Sequence, residues 1–158
     1  MWPMVASGSV LLPFDLNFGA IWTYRSQLPW SAAAGVDRNA DGFNTDLVPG
    51  TTRNAGSRGL DLAAVNAWRA TRGLGAVSAS QIDSSRANIV DLRLSRRFAL
   101  VRGTAAEVIA QVFNALNTRN LQDQYGGGRV AAATSNSFGR IQTARPGRQA
   151  ELAIRFIW

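Results

Sequence analysis

Hydrophobic and polar residues alternate along much of the chain. From Phe14 to Tyr24 the even positions read Phe14, Leu16, Phe18, Ala20, Trp22 and Tyr24. The odd positions read Asp15, Asn17, Gly19, Ile21, Thr23 and Arg25, so only Ile21 breaks the pattern. A strand places alternate side chains on opposite faces, and this segment therefore has one apolar and one polar face. The pattern returns at Val90, Leu92, Leu94 and Phe98, against Asp91, Arg93, Ser95 and Arg97, with Arg96 an exception on the apolar side. It recurs less cleanly at Ala106, Val108, Ala110 and Val112, where Ile109 and Phe113 fall on the polar side. The last run is Ala150, Leu152, Ile154, Phe156 and Trp158, against Gln149, Glu151, Ala153, Arg155 and Ile157. A further run, Met4 to Leu12, reads as the end of a preceding strand. Strands are predicted near 2–11, 14–25, 88–99, 105–114 and 148–158.

The connections alternate in length. Leu12-Pro13 and Leu100 to Thr104 are short turns, whereas 26–87 and 115–147 are long and rich in small and polar residues, including Gly126-Gly127-Gly128. Compact soluble domains rarely carry such long loops. Short turns on one side and long loops on the other are the usual asymmetry of a bacterial outer-membrane barrel. Within the first loop, Leu60 to Arg72 is predicted as a short helix with Leu62, Val65 and Trp68 on one stripe. Ser78 to Ser84 is predicted as a further turn. Both are expected as local loop structure rather than a separate domain.

Alternation also suits a soluble sheet, so three further features decide the class. Runs of this length match a tilted strand crossing about 30 Å of hydrocarbon, whereas soluble strands average about five to six residues. The aromatics gather at the ends: Phe14, Phe98, Phe156 and Trp158 at one interface, Trp22 and Tyr24 at the other, as girdles would. Arg96 lies near the first interface, where it could snorkel. The chain ends on Trp158 with apolar residues at every second position back to Ala150, which resembles the terminal signal read by the barrel-assembly machinery of Gram-negative bacteria. Such an edge strand suits β-augmentation. The fold class is thus all-β, a transmembrane antiparallel β-barrel of which this chain holds about the last five strands. Alone, these strands cannot close, and an open curved sheet with an uncovered apolar face is expected. The predicted lipid-facing residues are Phe14, Leu16, Phe18, Ala20, Trp22, Val90, Leu92, Leu94, Val108 and Val112, in the outer membrane.

Composition narrows the chemistry. No window approaches the ~20 consecutive apolar residues of a spanning helix. The start, Met-Trp-Pro-Met, has no signal-peptide pattern, which for an exported protein points to sequence upstream. The absence of Cys and His removes thiolate and imidazole sites and every His-based triad. With no paired carboxylates in a cleft pattern, no enzyme is expected. The net charge of +7 comes entirely from Arg, with no Lys. No block combines these Arg residues with stacked aromatics, so no nucleic-acid partner is expected.

Two polar constellations stand out. Asp37, Asn39, Asp41 and Gly42 match D-x-[DN]-x-[DN]-G, whose oxygens can converge on calcium. The twelfth position is Val48 rather than Glu, so Asp46 would have to substitute. The same residues also favour turns without metal. The polar strand face carries Asp15, Asp91, Arg93, Arg97, Glu107, Gln111, Glu151 and Arg155, expected to form lumen-side salt bridges that fix strand pairing.

Phe113-Asn114-Ala115-Leu116-Asn117-Thr118-Arg119-Asn120 resembles the FN-x-x-N segment at the end of the penultimate strand of TonB-dependent receptors. Asp37 to Asp46 is similar to the acidic loop of the large Oar-like members, preceded here by Ser26-Gln27-Leu28-Pro29, with Gln27 where Gly is usual. Asp91 to Phe98 and Arg148 to Trp158 also resemble that subgroup. The resemblance implies a barrel of about 22 strands with a plug and a TonB box upstream. It implies as partners outer-membrane lipid, the assembly machinery, the upstream strands and plug, and TonB through that upstream part. The implied function is binding of a large substrate outside the cell. An adhesin or structural barrel without energised transport is one alternative; a soluble calcium-binding all-β module is another.

Overall fold

A computed structural model of the chain describes residues 2–122 and 130–158. The Gly126-Gly127-Gly128 run lies outside the described residues. The strands are β1 (Pro3–Leu12), β2 (Leu16–Arg25), β3 (Ser31–Ala33), β4 (Ala87–Ala99), β5 (Ala105–Phe113), β6 (Val130–Ala132) and β7 (Gln149–Ile157). One α-helix, α1, spans Leu62–Ala70. The chain divides into two compact units. One comprises 2–25, 87–120 and 145–158; the other comprises 26–86 and 121–144.

The first unit is a five-stranded antiparallel sheet in the order β1-β2-β4-β5-β7. β1 and β7 are its edges, so the sheet is open. Its register aligns the alternating patterns of all five strands. Val10 pairs with Phe18, Phe18 with Leu94, Leu94 with Ala110 and Ala110 with Leu152. One row towards the short turns stand Leu12, Leu16, Arg96, Val108 and Ile154; one row the other way stand Gly8, Ala20, Leu92, Val112 and Ala150. A slip of one residue in any pair would turn a whole strand inside out, so the apolar face itself pins the register.

Arg25 pairs with Ala87, and Phe113 with Gln149. Both long connections therefore leave from one end of the sheet. The other end is closed by tight turns. Phe14 and Asp15 sit in the left-handed region at φ 66° and 57°. Arg102 and Gly103 do the same at 58° and 80°. In the second turn the Leu100 amide donates to the Thr104 carbonyl at 2.9 Å. Phe14, expected as the first residue of a lipid-facing strand, belongs instead to the turn; β2 begins at Leu16 because the reversal needs Pro13, Phe14 and Asp15.

The second unit departs from the expectation of merely local loop structure. The two long connections fold together around Trp30, Ala32, Val48, Val65, Val77, Ala131, Ala133 and Phe138. β3 from one connection pairs in parallel with β6 from the other. Trp30 meets Phe138 edge to face at 5.7 Å, a favoured aromatic geometry. The Gly56 backbone lies flat on Trp30: a Cβ there would come within 2.1 Å of the indole ring. Helix α1 is capped by Asp61, whose carboxylate accepts from the Ala64 amide at 3.0 Å, a standard N-cap arrangement. Its predicted stripe is real but narrow. Val65 is fully buried, Leu62 and Trp68 are half-buried, and Arg69 is buried beside them. The predicted turn near Ser78 is a single helical turn, Ala79–Gln81, with a Ser78–Gln81 capping box.

Candidate lipid-facing wall, rim and loop unit

The wall is one face of the five-stranded sheet. Leu16, Phe18, Ala20 and Trp22 of β2, Val90, Leu92 and Leu94 of β4, and Val108 and Val112 of β5 share it. The register adds Ala150, Leu152, Ile154 and Phe156 of β7 to the same face, with Trp158 just beyond the strand. Among the described residues this face has no second layer of strands or helices. Leu94 is 39% exposed, Ile154 60% and Trp158 95%. Side chains of this size left open across a whole sheet face far exceed the patches of a soluble monomer. At the end with the long connections, Trp22 and Tyr24 lie 6.2 Å apart. The Trp22 indole N–H donates to Asn88 Oδ1 at 2.7 Å. An apolar body with a satisfied polar tip is what an interfacial belt requires. Near the other end Arg96 stands on the apolar face with its guanidinium 4.9 Å from the Phe98 ring. Alternation along each strand predicts the wall; only the register reveals Asn88 as the partner of Trp22.

The opposite face is polar and cross-linked. Glu107 of β5 lies between Arg155 of β7, at 2.5 Å, and Arg93 of β4, at 3.6 Å. One carboxylate thus joins three neighbouring strands. Asp91 is used differently: its carboxylate accepts the Asn114 amide at 2.8 Å.

That bond opens the rim, where the FN-x-x-N segment does its structural work. Asn114 and Asn117 occupy the left-handed region at φ 49° and 51°, which Asn tolerates better than most residues. The Asn114 side chain is buried. Its amide donates to the Thr118 carbonyl at 3.0 Å, and its oxygen accepts from the Thr118 amide at 3.1 Å. Asn117 Oδ1 accepts the Arg148 amide at 3.1 Å. Asn120, also buried, accepts the Asn88 amide at 2.7 Å, and the Thr118 hydroxyl donates to the Asn88 carbonyl. The Ala115 amide reaches the Val90 carbonyl at 2.7 Å. The segment therefore clips the ends of β4, β5 and β7 together and satisfies backbone groups that have no ladder partner there.

In the loop unit, Arg69 acts as a strut. Its Nε donates to Gly75 O at 2.7 Å, and its Nη1 donates to Ala133 O at 2.5 Å and Ser135 O at 3.0 Å. The donors come from the first connection and two of the acceptors from the second. Trp68 donates to Ala34 O at 2.9 Å and carries the Arg72 guanidinium 3.4 Å above its ring.

The acidic loop is held by its own amides. Asp37 accepts from the Gly42 amide at 2.8 Å and the Asp41 amide at 3.3 Å. Asp46 accepts from the Arg38 and Asn39 amides at 2.6 and 3.2 Å. Asp41 accepts from the Phe43 amide at 2.9 Å and from the Asn39 side chain at 3.0 Å. The Gly42 amide, with those of Ala40, Asp41 and Asn39, holds the Asp37 carboxyl below its ordinary value despite some desolvation. Among the described residues no three acidic side chains group as a metal site. The four calcium candidates Asp37, Asn39, Asp41 and Asp46 thus share one turn whose carboxylates and amide groups hydrogen-bond within the loop.

A family model described as outer membrane beta barrel domain matches residues 15–151, from the first turn to the start of the last strand. No curated protein and no solved structure matches the chain. The soluble calcium-binding module considered from the sequence is set aside by this match and by the uncovered apolar face. An open antiparallel sheet with one apolar wall, girdled at its ends and matched over most of its length, belongs to the outer membrane beta barrel domain family, in the outer membrane of a Gram-negative bacterium.

Proposed function

We propose that the chain forms the C-terminal wall strands of a TonB-dependent receptor of the Oar-like subgroup, whose long loops capture a large peptide or glycan outside the cell. The observation that carries this reading is the cored loop unit. Two connections that could have been mere linkers bury Trp30 and Phe138 against each other and share the Arg69 strut. A recognition surface gains affinity when its loops are ordered before binding. The FN-x-x-N clip at the rim supports the receptor family, and the resemblance of Asp37 to Asp46 supports the subgroup.

In this reading β1 pairs with upstream strands of the same barrel, which also enclose a plug, and TonB acts through that upstream part. The edge strand from Ala150 to Trp158 is what the assembly machinery engages. The function is binding and transport, with no catalytic step.

Two experiments test it. The DNA upstream of Met1 should continue in frame through more alternating strands and a plug; an in-frame stop immediately upstream contradicts the reading. In cells, uptake by the intact receptor should require TonB. If surface binding persists and nothing is imported with or without TonB, the barrel is an adhesin or a structural protein instead.

A further inference from the structure

We propose that Asp41–Gly42 is a latent site of spontaneous isoaspartate formation, and that the Asp37 side chain keeps it from reacting. The inference concerns the acidic loop alone and does not rest on the transport reading.

The liability follows from the turn itself. Gly42 sits in the left-handed region at φ 87°, where a side chain would be strained. The position is otherwise open, since a Cβ there would meet nothing within 4 Å. Backbone geometry, not crowding, therefore favours glycine at 42. A glycine after an aspartate leaves its own nitrogen unshielded, and that nitrogen can attack the aspartate side chain. The step forms a bond from Gly42 N to Asp41 Cγ. The amide proton and the side-chain hydroxyl leave together as one water, and a five-membered succinimide remains. One water then reopens the ring. Cleavage at the former side-chain carbonyl restores aspartate, and cleavage at the Asp41 main-chain carbonyl routes the chain through Cγ, as isoaspartate. Both residues are exposed, so water for the second step is at hand.

The loop opposes ring closure at both reacting groups. The attacking group is the Gly42 amide, and it donates to Asp37 Oδ2 at 2.8 Å. A proton held in a charge-assisted hydrogen bond is given up less readily. The Asp37 carboxyl lies below its ordinary value, so it stays charged at mildly acidic pH, where aspartyl ring closure is fastest. The attacked group is the Asp41 carboxyl, whose Oδ1 accepts the Phe43 amide at 2.9 Å and whose Oδ2 accepts from the Asn39 side chain at 3.0 Å. Its carbon must turn out of these bonds to meet the nitrogen. Asp37 Oδ1 also accepts the Asp41 amide at 3.3 Å. One side chain thus braces both residues of the reactive pair. Isoaspartate would add one carbon to the main chain at 41 and carry the Gly42 amide away from Asp37.

The barrel carrying this chain, purified in detergent, can be kept warm for weeks at mildly acidic pH beside a synthetic peptide of residues 36–47. After digestion, electron-transfer mass spectrometry distinguishes isoaspartate from aspartate at position 41. The peptide should accumulate isoaspartate roughly tenfold faster than the folded loop, as the loss of one charge-assisted hydrogen bond implies. Asp37→Ala in the barrel should approach the peptide rate. Asp37→Asn, which keeps an oxygen for the Gly42 amide but no charge, should fall between. Asp46→Asn removes the same charge from the same loop without touching that amide, and should stay near the unsubstituted rate. Equal rates in barrel and peptide, no acceleration by Asp37→Ala, or equal acceleration by Asp46→Asn and Asp37→Ala would overturn the proposal.

Discussion

At the residue scale, asparagine explains why the rim is stable without a longer strand. Asn114 combines a left-handed backbone with a buried side chain that both donates and accepts. Asn114→Ala should therefore cost about 2–4 kcal/mol, from the lost hydrogen bonds plus backbone strain. Asn114→Gly, which relieves the strain but not the bonds, should cost less. Urea unfolding of the barrel in lipid vesicles checks the order. The acidic loop makes a different residue-scale prediction. The folded pKa of Asp37 lies below its ordinary value of 3.8. The stabilisation it brings is present above that value and is lost as pH falls below it, through the lowered pKa. A carbon-13 titration should place the Asp37 midpoint below that of the unfolded peptide. A midpoint at or above the peptide value would mean that the Gly42 amide does not hold the carboxylate.

At the element scale, the strands follow from alternation alone, because one lipid face and one polar face require a period of two. β4, β5 and β7 lie within a residue or so of the spans expected from sequence. β2 began two residues late, at Leu16. Phe14 continues the apolar pattern perfectly, yet backbone geometry at Pro13 decides its place, and periodicity is blind to φ. The Glu107 bridge was legible only as a set of charges on one face; which arginines it meets depends on register. The loop unit was the least legible part. Its core is spread over two segments separated by a whole hairpin, and Trp30, Val48 and Phe138 show no local period. Its sensitivity to single changes follows from that sparse core. Gly56→Leu should disrupt the unit by driving a side chain into Trp30, and Trp30→Ala should cost about 3–5 kcal/mol. Hydrogen exchange should show faster amides in 26–86 while β4 and β5 keep their protection. Loss of protection in the strands as well would mean that the loops are needed to fold the wall.

At the scale of the whole molecule, the chain by itself is an incomplete surface. Among the described residues the larger sheet has five strands, its edges β1 and β7 are unpaired and its apolar face is open. Expressed alone without detergent or lipid, it should aggregate; a soluble monomer by light scattering would be incompatible with a lipid-facing wall. Within a bilayer the two faces should respond oppositely to charge. Leu94→Arg or Ile154→Arg, near the middle of the wall, should cost about 2–4 kcal/mol, whereas Gln111→Arg on the polar face should cost little.

Lipid contact at alternate residues is read most directly by spin labels placed singly at positions 91 to 95 of β4 and 151 to 155 of β7, with the barrel in bilayers. Collision rates with oxygen should peak at Leu92, Leu94, Leu152 and Ile154. Collision rates with a water-soluble nickel complex should peak, if anywhere, at the intervening positions. Oxygen access without a two-residue period, or Leu94 and Ile154 shielded from both reagents, would mean that this face packs against protein and not lipid.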